Sequence, residues 1–282
     1  MNENKKLPQA IKIQNLKFQY SKDSDLILNN LNLEIEQGTY NVFVGQNGSG
    51  KSTTTKLIAN VLKQYDGEIE ILGQLKSKSN GRKLQKKVGI VFDNPDFQLI
   101  GSTVEEDIIF CLENYNFKSE LMPDIVHNVL TDVNMLDYRK TAPDQLSGGQ
   151  KQKVALATVL AFSPEIIILD EAFSMLDYKS KKQIQNIISQ LHKQKNRTII
   201  SVSHDMEELV KADNIFIFKN GNIIAKLTYK ELINNKDLLL ENGLELPFLP
   251  NLISELKNLN INVKSDDLNV ESLATQLCLM QK

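Results

Sequence analysis

The sequence predicts an α/β fold built on a parallel sheet, and three observations predict it. The segment "TYNVFVG" is a short apolar strand that runs into a glycine-rich turn and then into a helix-forming stretch. The segments "PEIIILDE" and "RTIISVSHD" hold continuous apolar runs, with Ile166, Ile167, Ile168 and Leu169 in the first. Runs of that length suit strands covered on both faces of a parallel sheet, whereas half-exposed strands alternate. From about Val104 to Phe162, between these strands, the pattern is mainly helical.

The remaining elements follow in chain order. "AIKIQNLKFQY" alternates apolar and polar residues (Ile11, Ile13, then Leu16, Phe18 and Tyr20), and so does "LILNNLNLEIEQG"; both read as half-buried strands. "KSTTTKLIANVLKQY" is expected to be helical, with Leu57, Ile58, Val61 and Leu62 on one face. "KKVGIVFDNP" is a strand ended by its proline. "NIFIFKNGNIIAKL" is a hairpin turning at Asn220 and Gly221. Beyond Lys230 the character changes. Leu252, Ile253, Leu256 and Leu259 fall on one helical face, as do Val270, Leu273, Ala274 and Leu277. These read as a small helical appendage, joined through a Gly- and Pro-bearing segment at 243–250.

With 41% hydrophobic and 24% charged residues, the chain has material for a substantial core. A formal net charge of −2 creates no field that would draw it to nucleic acid or anionic lipid, so no nucleic-acid partner is expected. The local cluster Arg82, Lys83, Lys86 and Lys87 then reads as solvated surface rather than a phosphate track. Cys111 and Cys278 lack metal-ligand spacing and read as reduced thiols. "MNENKKLPQA" has no signal-peptide core, and runs such as "VALATVLAF" fall short of the roughly 18 residues of a spanning helix. A cytosolic chain that reaches a membrane only through a partner is expected.

The turn after the first buried strand is "GQNGSGKST": Gly45, Gln46, Asn47, Gly48, Ser49, Gly50, Lys51, Ser52 and Thr53. It matches G-x-x-x-x-G-K-[ST] between a strand and a helix. Glycines let backbone N–H groups turn inward round phosphates, and the helix N-terminus adds favourable potential. Lys51 is expected on the β- and γ-phosphates and Ser52 on Mg²⁺. A flexible Gly/Ser turn is the bland alternative. At the end of "IIILD", Asp170 is placed to organise Mg²⁺ through its water shell, and Glu171 to polarise an attacking water. Alone, two acids after a strand would be a simple turn; downstream of a phosphate loop they are catalytic candidates. His204 ends another buried strand, where α/β ligand sites form. His127 and His192 have no such context and read as surface residues. "LSGGQ" carries the capping-box pattern Ser147 to Gln150, with Gly148 and Gly149 allowing close approach of an anion to the helix start.

In order the chain presents Tyr20, "GQNGSGKS", "VFDNPDFQ", "LSGGQ", "IIILDE", "SMLD" and His204, and this set resembles the nucleotide-binding subunits of ABC transporters up to about residue 227. The resemblance implies a P-loop NTPase of ABC type, with a RecA-like core, an antiparallel β subdomain and a helical subdomain at about 95–162, over residues 8–230. It implies ATP and Mg²⁺ as cofactors and Tyr20 as the aromatic that stacks on adenine. It also implies that Ser147, Gly148, Gly149 and Gln150 close over the γ-phosphate held by a second ATPase subunit, homo- or heteromeric, with Asp177 of "SMLD" at the dimer interface. "VFDNPDFQLIGSTVEED", "DEAFSMLD" and the tail "LLLENGLELPFLPNLISEL" narrow the likeness to the ATPases of energy-coupling factor (ECF) transporters, closer to the first of their two types. From that follow a transmembrane coupling protein, a membrane substrate-capture protein for a vitamin or metal ion, a peripheral place at the cytoplasmic membrane face, and a dimerisation role for 231–282.

One position departs from that family. Asp93 stands where it usually has a glutamine that helps ligate Mg²⁺. Asp93 keeps an oxygen ligand on a side chain shorter by roughly 1.5 Å, and puts a third carboxylate near Asp170 and Glu171. Gln98 is a poorer substitute because it lies beyond Pro95. Phe97, Leu99 and Ile100 serve either the core or the docking of a partner's helices. Competing readings are the ATPase of another ABC transporter class and a soluble ABC ATPase acting on nucleic acid or ribosomes. Against the latter stand the single motif set and the absence of a heptad tract or basic excess. Glu171 and His204 oppose a scaffold that binds ATP without hydrolysing it.

Overall fold

The computed structural model describes residues 8–174, 176–194 and 197–235, with 238–239, 251–252, 255–256, 259, 261 and 270–280 of the tail. They fall into two compact units divided between Lys226 and Leu227.

In the first unit, β1 (Gln9–Phe18) and β2 (Leu28–Glu36) pair antiparallel. The alternation of β1 slips between Ile13 and Leu16, where Asn15 takes φ 51° and the register shifts. Such a bulge adds a residue without turning the apolar face outward. After β3 (Tyr40–Val44) comes α1 (Lys51–Ile58). This helix is shorter than expected. Asn60 adopts φ 61° and Val61 N–H returns to Lys56 O at 2.9 Å, a left-handed helix stop. Val61 is therefore 45% exposed, whereas Leu57 and Ile58 are fully buried. Next, β4 (Asp66–Ile71) and β5 (Gln74–Leu75), not anticipated from the sequence, extend the first sheet in the order β2-β1-β4-β5. A short helix α2 (Gly81–Gln85) precedes β6 (Val88–Val91).

The helical stretch contains α3 (Val104–Asn114), α4 (Met122–Asp132) and α5 (Gly148–Ala161). Asp107 knits it together. Its buried carboxylate accepts from Ile100 N at 2.7 Å, Gly101 N at 3.0 Å and Thr158 Oγ1 of α5 at 3.1 Å. Glu105 beside it takes both Arg139 and Lys140, whose hydrogen bonds hold its carboxyl down at about 2.

The chain then runs through β7 (Ile166–Asp170), α6 (Tyr178–Lys193), β8 (Thr198–Val202), α7 (Met206–Lys211), β9 (Asn214–Lys219) and β10 (Asn222–Leu227). The second sheet has the order β10-β9-β3-β8-β7-β6, with β9, β3, β8, β7 and β6 parallel to their neighbours. The β9–β10 turn uses Asn220 at φ 48° and Gly221 at φ 75°, the two positive φ values that match strand twist. One core joins both sheets to α1: Ile11, Ile13 and Ile69 pack in a cluster with Leu57, Phe43, Ile168 and Phe216. That burial fixes the root of the phosphate-loop helix.

Of the basic cluster, Arg82, Lys83 and Lys87 are exposed as expected, Lys87 in a surface pair with Glu165; Lys86 is only partly exposed and donates to Tyr115 O at 2.9 Å. His192 is not a plain surface residue. Its Nε2 meets Asp213 Oδ2 at 2.9 Å and its ring edges onto buried Tyr40. His127 is exposed, and Cys111 and Cys278 are free thiols.

The second unit contains α8 (Tyr229–Asn234), capped by Thr228 and Glu231, and α9 (Val270–Met280). Leu273 is buried against Leu252, Leu256, Ile261 and Leu277. Leu259 and Ala274, expected on those apolar faces, are exposed instead. Ile253 and the segment 243–250 lie outside the described residues. Among the described residues no helix is long and apolar enough to cross a membrane.

Candidate active site

The carboxyl ends of β3, β7 and β8 lie side by side, and each delivers part of the site. β3, buried throughout, brings the chain to Gly45 at φ 145°. A Cβ there would stand 2.2 Å from Phe218 O, so no larger residue fits. The loop through Gln46, Asn47, Gly48 and Ser49 closes with Ser49 N on Gln46 O at 3.1 Å, and Gly221 N braces it on Ser49 O at 3.1 Å. Gly50 is the N-cap of α1 and supplies no side-chain cap, so the first N–H groups of that helix stay open to an anion. Lys51 Nζ rests on the loop's own carbonyls, Gly45 O at 2.6 Å and Gln46 O at 3.0 Å. Burial lowers its pKa, and the charges of Glu171 and Asp170 oppose that shift. Ser49 Oγ, buried in the loop, has no hydrogen-bond partner among the described residues. Open donors of this kind fit a phosphate.

β7 ends at Asp170, whose Oδ1 accepts from Ser52 Oγ at 2.7 Å, joining phosphate loop to acidic strand end. Burial pushes the Asp170 carboxyl up; Ser52 and Lys56 hold it down, while Glu171 and Asp93 raise it further. An excess of carboxylates beside a serine hydroxyl is a hard-oxygen donor set that fits Mg²⁺. Among the described residues no three His, Cys, Asp or Glu side chains form a metal-holding group. Asp93 is exposed just after β6. Gln98 is engaged elsewhere, with Nε2 on Ile90 O at 3.3 Å and Oε1 accepting from Phe92 N at 3.4 Å.

Glu171 stands at φ 53°, a left-handed conformation that costs a non-glycine residue about 1 kcal/mol or more. Three bonds hold it there. Its N–H donates to Val202 O at 3.1 Å, and its carbonyl accepts from Ser174 N at 3.1 Å and Ser174 Oγ at 2.9 Å. Ser174 was not singled out from the sequence, because nothing in its local pattern marks it. His204 follows β8 and its side chain reaches solvent; the covered half of its ring loses water, and that desolvation and the Lys51 charge lower its pKa against the pull of Glu171. A neutral imidazole there offers one N–H donor. Tyr20, 59% exposed, is tied in by its hydroxyl to Thr53 Oγ1 at 3.2 Å and edged by Phe18 at 5.0 Å, leaving a ring face free to stack.

The other expected anion contact, at the head of α5, stands apart. Ser147 Oγ accepts from Gln150 N at 3.3 Å and Gln150 Oε1 accepts from Ser147 N at 2.8 Å, a complete capping box at the head of α5. Ser147 and Gly148 are exposed, and among the described residues no hydrogen bond or ion pair joins them to the phosphate loop. Gly149 packs on Ser180, which Asp177 holds as the N-cap of α6. Phe97 is 82% and Ile100 67% exposed, so neither belongs to the core. Ile100, Phe110, Val61, Ile90 and Phe162 line a groove of about 910 Å³, with Arg82 and Lys83 at its wall.

A glycine-rich loop on a helix start, a serine bonded to a strand-end aspartate and a following glutamate define a P-loop ATPase on a mixed-sheet α/β fold. The chain belongs to the ABC transporter family, whose pattern matches residues 28–174, and within it to the ATP-binding proteins of energy-coupling factor transporters. It is 44% identical over 248 residues to the energy-coupling factor transporter ATP-binding protein EcfA1 of Mesomycoplasma hyopneumoniae, covering 88% of this chain and 91% of that one. It is 40% identical over 272 residues to EcfA1 of Lactococcus lactis, covering 95% and 98%. Among solved structures, cbiO1 from Clostridium perfringens, part of the ABC transporter complex cbiONQ, superimposes with a TM-score of 0.73 at 30% identity, covering 88% of this chain and 99% of that one. The ATP-binding cassette MJ0796, a dimer bound to ADP and Pi, gives 0.71 at 27% identity over 78% and 98%. The protein is an ATPase that binds and hydrolyses ATP.

Proposed function

We propose that this ATPase is the motor of an importer for a vitamin or metal ion, working in a pair of ATPases at the cytoplasmic face of the membrane. Tyr20 stacks on adenine, and Gly45, Gln46, Asn47, Gly48, Ser49, Gly50 and Thr53 wrap the phosphates with backbone N–H groups and hydroxyls. Lys51 leaves its loop carbonyls for the β- and γ-phosphates. Ser52, Asp170 and Asp93 would hold Mg²⁺, which when bound neutralises charge on the transferring phosphoryl group. Glu171 orients the attacking water and accepts its proton, while neutral His204 donates to the γ-phosphate. The observation that carries the reading is the pair of anion cradles in one domain: one complete with its acidic strand end, the other, at Ser147, Gly148, Gly149 and Gln150, opening to the surface through the exposed Ser147 and Gly148. The second cradle then serves the nucleotide of the other subunit, and the dimeric state of MJ0796 supports that arrangement.

The exposed Phe97, Ile100 and Phe110 fit a transmembrane coupling protein's cytoplasmic helices, and next to Phe97 Lys151 of α5 pairs with Asp96 at 2.7 Å. A substrate-capture protein in the membrane completes the assembly, and residues 231–282 assist dimerisation. Purifying the tagged chain from its own membranes tests this. Recovery with a second ATPase or a second copy, one coupling protein and small capture proteins is expected; recovery with paired conventional permeases would overturn the importer class. For the chemistry, Glu171→Gln should accumulate an ATP-bound dimer, and steady turnover by that variant would remove Glu171 from its role.

A further inference from the structure

We infer that Glu208 is a positioning residue for His204: its buried carboxyl locks the turn that carries the histidine onto the strands flanking the phosphate loop. Glu208 is only 1% exposed, in the first turns of α7, although glutamate is among the residues least often buried. Ser201 Oγ of β8 donates to Glu208 Oε2 at 2.5 Å. The Tyr40 phenol, from the start of β3, lies beside the same carboxyl. Within the turn, Glu208 N donates to Asp205 O at 3.1 Å and Asp205 N donates to Ser203 Oγ at 3.0 Å. One side chain thus bridges the strand before His204, the helix after it, and the strand that runs into Gly45. β3 and β8 are register neighbours there, with Val42 opposite Ser201 and Phe43 opposite Val202.

The charges around Glu208 decide which form packs. From β3 comes Tyr40, whose own proton is held far above its ordinary range by burial and by Glu208. From the turn comes Asp205, which is bound by Lys181 of α6 at 2.9 Å and by Gln185 at 2.7 Å. Behind Tyr40 stand Asp213 and His192, bonded to each other. None of these gives Glu208 a cation of its own, and its Oε1 has no hydrogen-bond partner among the described residues. Burial, opposed by the hydrogen bonds of Ser201, Tyr40 and Ser203 and aided by Asp205, raises the carboxyl to about 7. Below that pH the site packs round the neutral acid. Ionising it sets a charge in a dry site next to Asp205, and α7 relieves that by drawing away with the His204 turn.

The inference rests on His204 contacting the γ-phosphate, so the experiment separates the two. Steady-state ATP hydrolysis at saturating ATP is measured from pH 6.5 to 8.5 for the chain with whatever proteins co-purify with it, alongside melting curves. Native turnover should fall by up to about 25-fold across that range, the ratio of protonated carboxyl for a pKa of about 7. Glu208→Gln, permanently neutral, should lose that dependence. Ser201→Ala, which removes a bond that favours the ionised form, should move the fall to higher pH. Profiles of both folded variants that superimpose on the native one overturn the role of Glu208. Native turnover in His204→Ala overturns the histidine's role instead.

Discussion

Adding one methyl group to each of two adjacent glycines, Gly148 and Gly149, separates packing from ligand contact at the head of α5. At Gly149 the new Cβ would stand 2.8 Å from Ser180 Oγ and 3.1 Å from Ser180 Cβ. Ser180 is not free to yield: Oγ donates to Asp177 Oδ2 at 2.8 Å and its N–H to Asp177 Oδ1 at 2.9 Å. Moving aside sacrifices a hydrogen bond to a carboxylate, about 2 kcal/mol, while alanine in place of helical glycine returns at most about 1 kcal/mol. Gly149→Ala should therefore lose about 1 kcal/mol, a fall of roughly 2–4 °C in melting temperature. At Gly148 nothing lies within 4 Å of an added Cβ, so Gly148→Ala should melt at or slightly above the native temperature. The same methyl protrudes from the exposed surface on which the other subunit's γ-phosphate would sit. In a Glu171→Gln background, light scattering should show ATP-dependent dimerisation lost in Gly148→Ala. A Gly148→Ala variant that dimerises as well as its parent refutes the trans cradle. An unchanged melting temperature for Gly149→Ala refutes the packing argument.

Two further perturbations test neighbouring claims. Asp93→Gln removes one carboxylate charge from beside Asp170, and an exposed, solvent-screened charge worth about 1 kcal/mol should raise the Mg²⁺ needed for half-maximal hydrolysis about fivefold; an unmoved Mg²⁺ titration with unchanged turnover would dismiss Asp93 from the metal site. Asp107→Ala strands the Ile100 and Gly101 N–H groups, while the Thr158 hydroxyl keeps Val154 O as an acceptor, and should cost about 3 kcal/mol in urea unfolding, against about 1 kcal/mol for Asp107→Asn, which keeps an acceptor. Equal losses for the two would mean the bonds matter less than the volume.

What the sequence made legible is what it encodes locally. Ile166 to Leu169 form a strand buried on every residue because an unbroken apolar run has nowhere else to go. The phosphate loop is readable because each of its letters answers a local demand, as Gly45 against Phe218 O does. Where a pattern has two physical outcomes, the letters misled. Val61 and Leu62 continue the helical period of α1, yet Asn60 turns left-handed and ends it first. β4 carries only Ile69 and Ile71 as its buried pair, too brief an alternation to stand out. His192 gains its partners from residues 21 and more than 150 positions away, and no window of sequence contains both Asp213 and Tyr40. Ser174 and Glu208 stayed invisible for the same reason: their roles come from a backbone twist at Glu171 and from burial between strands, not from neighbours in the chain.

The two cradles are unequal, and their inequality suits the order in which a pair of ATPases must act. At α1 the N-cap is Gly50, so the N–H groups of Lys51, Ser52 and Thr53 remain open, with the Lys51 ammonium beside them. At α5 the capping box already takes Gln150 N and satisfies Ser147 N, which leaves the N–H groups of Gly148 and Gly149 and the Ser147 hydroxyl. Three open donors and a cation hold a nucleotide unaided; two donors and a hydroxyl, with no cation beside them and Ser147 and Gly148 exposed to water, would not. In the proposed pair the head of α5 therefore adds to a γ-phosphate already seated on the other subunit and has little hold on free ATP. Loss of that phosphate by hydrolysis removes the one group both cradles share, so closure lasts no longer than the bond it waits on. A well-capped helix start, which for stability alone is simply good construction, here keeps the second cradle weak enough to let go.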